Sequence, residues 1–77
     1  MNQSILFNDD LHFDKSKQAW CLTAQIAGAL VKVYFYSTQL KQLTSIDRCT
    51  QYDLEEITEL WLESNEPQNG IIEIDVK

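Results

Sequence analysis

The chain is 77 residues long, with 44% hydrophobic and 23% charged residues and a formal net charge of −6 at pH 7. That length predicts a single domain over residues 1–77 with a small core, and the ordinary composition excludes a disordered or low-complexity chain. No apolar run is long enough to cross a bilayer, and the scattered Lys15, Lys17, Lys32, Lys41, Arg48 and Lys77 argue against nucleic acid, which needs clustered cationic side chains for phosphate contacts.

Residues 4–7 contain the apolar run Ile5, Leu6 and Phe7 and predict a first strand. Asn8, Asp9 and Asp10 break it as a turn by composition, and residues 11–13 are ambiguous. Residues 18–27 alternate, with Trp20, Leu22, Ala24 and Ile26 on one face and Ala19, Cys21, Thr23 and Gln25 on the other. Gly28 marks a tight connection that calls for a positive φ or a bulge. Residues 29–36 resume in β-branched and aromatic types, Val31, Val33 and Phe35 opposite Leu30, Lys32, Tyr34 and Tyr36. These two runs predict a hairpin whose Val31, Val33 and Phe35 face meets a helix. Ser37 or Thr38 is the expected cap of the helical segment that follows.

Residues 50–65 are the most periodic stretch of the chain. At about 100° per residue, Ile57 and Trp61 fall near Leu54, while Glu55, Glu56, Glu59, Glu63 and Glu66 gather on the far side. Leu60 and Leu62 sit on the two shoulders of the apolar stripe. Thr50 followed by Asp53 has the spacing of a capping box, Asn65 is a stop residue, and Pro67 and Gly70 prevent continuation. Extended backward, Leu40, Leu43, Ile46 and Thr50 share the face of Leu54. The cap candidates Ser45 and Thr50 nevertheless favour two helical pieces over one long helix. Burying Leu54, Ile57 and Trp61 on a sheet contributes about 5–8 kcal/mol before the entropy cost. Residues 71–76 then alternate again, Ile72, Ile74 and Val76 against Ile71, Glu73 and Asp75. The predicted fold is α+β: a small antiparallel sheet of three N-terminal strands and a C-terminal strand, packed on one face by one or two helices.

Chemistry is scarce in this sequence. His12 is the only histidine, and Cys21 and Cys49 lie far apart, without C-x-x-C spacing or the local signature of a cysteine enzyme. No catalytic, cofactor-binding or metal-ligating residue is assigned, and no cofactor is expected. The ladder Glu55, Glu59, Glu63 comes from one element, whereas cation sites draw ligands from several. Trp20, Tyr34, Tyr36 and Tyr52 are able to stack on bases but read as packing groups. The opening residues lack a basic stretch followed by an apolar run, so a reduced, cytoplasmic chain is expected.

The charge is unevenly placed: residues 1–48 carry a net +1 and residues 49–77 a net −7. The plain reading of the acidic half is a solvated surface. The functional reading makes Glu55, Glu59, Leu60, Leu62 and Glu63 a candidate interaction face, because like charges at i, i+4 cost a helix stability with no lysine partner to offset them. On that reading the chain is a non-catalytic module for a protein partner, or for a homodimer formed through an exposed final strand. The alternative is a small-ligand binder or enzyme using a pocket between sheet and helix, with His12, Tyr34 or a cysteine as its polar group.

Certain residues also carry a family pattern: MNQSILF before an acidic turn, Phe13-Asp14 with Lys17, Ala24, Ile26 and Gly28 in the hairpin, and QYDLEE at residues 51–56. In these the chain resembles a family of small bacterial proteins of unknown function that includes the enterobacterial protein YrdB. It is shorter than that family between residues 40 and 51. The resemblance implies a small cytoplasmic α+β domain. It implies no reaction and no site residues.

Overall fold

The computed structural model describes residues 5–76. In order these form β1 (Ile5–Phe7), β2 (His12–Asp14), β3 (Ala19–Ile26), β4 (Ala29–Tyr36), α1 (Thr38–Lys41), α2 (Arg48–Leu62) and β5 (Ile71–Asp75). The expected first strand is present from Ile5, and position 4 lies outside the described residues.

The predicted hairpin is the centre of the sheet. β3 and β4 pair antiparallel with Trp20 opposite Phe35, Leu22 opposite Val33 and Ala24 opposite Val31, which stacks their apolar sets on one face. Ala27 and Gly28 join the strands with φ of 52° and 84°, the primed turn whose twist matches that of the flanking strands. Glycine adopts such a φ freely, and alanine does so at a cost. Ala27→Asn is therefore expected to stabilise the protein by about 1 kcal/mol. A higher thermal midpoint is the check, and an unchanged or lower one would contradict the turn.

Two features of the sheet depart from expectation. The first is at Asn8–Asp10, where the chain does not turn away. Asn8 donates from its backbone N–H to the Thr23 carbonyl (2.9 Å) and from Nδ2 to Thr23 Oγ1 (2.8 Å), and Asp10 accepts from the Thr23 N–H (2.9 Å). These bonds hold the chain along β3, so β1 and β2 both pair antiparallel with the same edge of that strand. Of the ambiguous residues, His12 and Phe13 thus belong to a strand, and four strands rather than three precede the helices. The second is at β5, which pairs with β4 in parallel, Val33 opposite Ile72 and Phe35 opposite Ile74. The crossover through α1 and α2 returns the chain in its original direction. The five-stranded sheet, ordered β1-β3-β4-β5 with β2 also on β3, is mostly antiparallel and has β5 at one edge.

The core lies on one face. Trp20, Leu22, Ala24, Ile26, Val31, Val33, Phe35, Ile72 and Ile74 form a buried cluster with Leu54 of α2, which is 1% exposed. Leu40, Ile46, Ile57, Trp61 and Leu62 pack against that cluster. Trp20 Nε1 donates to the Leu40 carbonyl at 2.7 Å and ties α1 to the sheet.

The helix is in two pieces, with Ser37 Oγ accepting from the Leu40 N–H at the start of α1. The cap of α2 is Asp47 and not Thr50: Asp47 Oδ1 accepts from the Thr50 N–H at 2.8 Å, so the predicted capping box is displaced by one turn. That bond holds the Asp47 carboxyl below the ordinary range. At the other end α2 stops at Leu62, and Asn65 Nδ2 donates to the Trp61 carbonyl at 3.0 Å. The stop residue acts from just outside the helix.

Candidate interaction surface

The five residues of the predicted face do not share one environment. Glu59, Leu60 and Glu63 are exposed. Glu55 is half-buried and accepts from Gln51 Nε2 at 3.3 Å. Leu62 is half-buried against the core, on the side of α2 opposite to Leu60. A spacing of four residues drifts around a helix by about 40° per step, so the ladder runs from the flank at Glu55 to the outward side at Glu63. The outward side also presents Tyr52, Asp53 and Glu56, all exposed. Tyr52 and Leu60, at 58% and 56% exposure, are its large apolar groups.

The sheet face away from α2 carries a second network. Ala19, Cys21 and Tyr34 are buried there, with Tyr36 and Ile71 beside them. Lys17, from the turn between β2 and β3, lies over the Tyr34 ring with Nζ 5.3 Å from its centroid and 4.0 Å from Glu73 Oε2. Tyr36 Oη donates to Glu73 Oε2 at 2.7 Å. That bond first, and burial second, pushes the Tyr36 hydroxyl up to about 12. A raised acid pKa favours the neutral form in the folded state, so this contribution to stability is full below about pH 10. It is lost as pH rises through the folded value. Glu73→Ala is expected to bring the alkaline absorbance titration of Tyr36 back toward the ordinary tyrosine range, and an unchanged titration would contradict the assignment.

The polar groups considered for chemistry converge only in part. His12 stands opposite Cys21 in the β2–β3 register. Its Nδ1, however, is 2.9 Å from the Asp10 carbonyl, and Cys21 Sγ lies 3.8 Å from the Leu22 carbonyl. Burial, then the charges of Asp14 and Asp10, pushes the Cys21 thiol up, which is the reverse of what a nucleophile needs. Cys49 is exposed in the first turn of α2, and both cysteines are free. Native protein is expected to lose one thiol promptly to an alkylating reagent and Cys21 only on unfolding. Equal rates at both would contradict the burial. Among the described residues no three His, Cys, Asp or Glu side chains come together as metal ligands.

Two clefts open among the described residues. One, of about 270 Å³, lies between the β1–β2 connection and the start of α2 and is lined by Asp9, Leu11, Trp20, Thr44, Ser45, Ile46 and Gln51. Gln51 is 8% exposed, and its Nε2 makes long contacts to Asp9 (3.5 Å) and Glu55 (3.3 Å). Arg48 reaches Asp9 at 3.4 Å near its mouth. The other cleft, of about 330 Å³, lies beside β5 and is lined by Lys17, Trp61, Gln68, Asn69, Ile71 and Glu73. No helix among the described residues is long and apolar enough to cross a membrane.

No family model matches the chain, and no curated protein matches it. A solved structure does: a protein of unknown function of the DUF1488 family from Shewanella loihica PV-4, known at 1.60 Å resolution. The two chains are 29% identical, the match covers 96% of this chain and 94% of that one, and the TM-score is 0.68. The chain is thus similar, over nearly its whole length, to a member of a small bacterial family without an assigned function.

Proposed function

We propose that this protein is a non-catalytic protein-interaction module that works from the outward side of α2. The observation that carries the reading is the setting of Tyr52 and Leu60: two exposed apolar side chains among Asp53, Glu56, Glu59 and Glu63, with Arg48 the only base in the helix. Apolar anchors within an acidic field suit a partner that offers apolar side chains ringed by lysine and arginine. On the same reading the chain is a cytoplasmic relative of the family that includes YrdB. A homodimer, its self-associating form, would set acidic side against acidic side and is the weaker version, and light scattering that gives a monomer at high concentration excludes it. The test of the module is affinity capture with three baits: the parent, Glu59→Lys/Glu63→Lys, and Leu30→Ser on the far face of the sheet. A partner held by the parent and by Leu30→Ser, and lost from the charge-reversed bait, is the expected result. Retention by all three baits returns the acidic side to solubility alone.

One observation favours a second reading. Among the described residues, Gln51 is a buried amide held by long hydrogen bonds at the edge of the smaller cleft. A small polar molecule that completed those bonds would make the protein a ligand binder. Its signature is a ligand-dependent rise in thermal midpoint that Gln51→Leu removes.

A further inference from the structure

We infer that the outer edge of β5, unpaired among the described residues, takes up an extended peptide strand of alternating basic and apolar residues, an inference that rests on the interaction-module reading and gives it a second contact. The ladder to β4 sets which backbone groups are free. Its ends are the bonds from the Lys32 N–H to the Gly70 carbonyl (3.0 Å) and from the Val76 N–H to the Tyr36 carbonyl (2.8 Å). In a parallel ladder the residues that bond the neighbour alternate, so even-numbered residues of β5 face β4 and odd-numbered ones face outward. Ile71 spends its outward groups on Gln68, donating to and accepting from it at 3.0 Å across the turn at Asn69 and Gly70. Glu73 and Asp75 are left with their N–H and carbonyl groups directed away from the sheet. The cleft of about 330 Å³ lies along this edge, reaching from Trp61 on the helix side to Lys17 on the other.

The chemistry of the strand follows from the pleat. Residues paired with Glu73 and Asp75 lie on their face of the sheet, where a lysine or arginine meets the Asp75 carboxylate and joins Lys17 and Tyr36 at that of Glu73. Residues between them turn to the helix side, where an apolar side chain rests near Trp61. A second copy of β5 does not fit, because pairing the two edges sets acid against acid. The helix extends the same preference. Gln51 reaches Asp9 at the β1–β2 side while Trp61 lines the β5 side, so Leu60, one step outward from Trp61, stands on the flank nearest the added strand.

The probe is a synthetic peptide of alternating lysine and valine, with its glutamate–valine counterpart as control, titrated into the isotopically labelled full chain. Binding of the lysine peptide alone is expected, with the largest amide shifts at Glu73 and Asp75 and slowed exchange of those two N–H groups. Asp75→Pro removes an outward N–H that the β4 ladder does not use, so the fold is retained. It is expected to weaken the peptide about tenfold. N-methylation of alternate peptide residues, which keeps every charge, should do the same. Shifts confined to residues 52–63 of α2 would overturn the strand-addition inference and leave the module reading standing. No binding, or equal binding by Asp75→Pro and the parent, would also overturn it.

Discussion

Leu54→Asp is expected to abolish the cooperative thermal transition. Leu54 is the α2 residue at the centre of the core, in one cluster with Leu22, Val33, Phe35 and Ile72. A leucine truncated at such a site costs about 2–5 kcal/mol through lost transfer energy and the cavity left behind. A carboxylate there adds the cost of leaving a charge without water or a partner. A domain of this size has only about 4–12 kcal/mol to lose. The expected result is a flat melt and loss of near-ultraviolet dichroism at 25 °C. Glu59→Ala, five residues on and exposed, is the control and should shift the midpoint little. A Leu54→Asp melt that matched the parent would remove α2 from the face of the sheet.

Phe35→Ala tests the sheet itself. Phe35 is fully buried, opposite Trp20 on one side and Ile74 on the other, so it links the antiparallel and parallel halves of the sheet. Truncating a buried phenylalanine costs about 3–5 kcal/mol. For a domain this small each kcal/mol moves the midpoint by several degrees, and a fall of about 15–30 °C is expected. Leu30→Ala, on the exposed side of the same strand, should cost little. Similar small falls for both variants would contradict the assignment of the two faces.

The contrast between those two positions was legible in the sequence. The period-two alternation of β3, β4 and β5 picked out the set of each strand that meets the core, but not the burial of Ala19, Cys21 and Tyr34 on the other face. Strand direction was not legible, since alternation is the same in parallel and antiparallel pairs, and only the crossover decides. Nor was β2, a strand of three residues whose place depends on Asn8 and Asp10 bonding Thr23, far away in the chain. The cap of α2 was misplaced by a turn because Asp47 and Thr50 are both good capping residues, and the bond between them selects Asp47. At the candidate face, only the exposure of the residues is compared. Helical periodicity puts Leu60 and Leu62 on opposite shoulders of the stripe, but the roll of the helix on the sheet decides which shoulder is buried. Leu62 packs, Leu60 does not, and Tyr52 joins Leu60 as an exposed group that periodicity alone did not single out.

Binding through the outward side of α2 is the central proposal. Its most direct test is a chemical-shift map of the labelled protein against the partner retained by the parent and lost by the charge-reversed bait. The largest shifts are expected at Tyr52, Glu56, Glu59, Leu60 and Glu63, weakening as salt is raised. A footprint centred on Trp20, Ile46 and Gln51 around the smaller cleft, with the outward side of α2 unmoved, would contradict it.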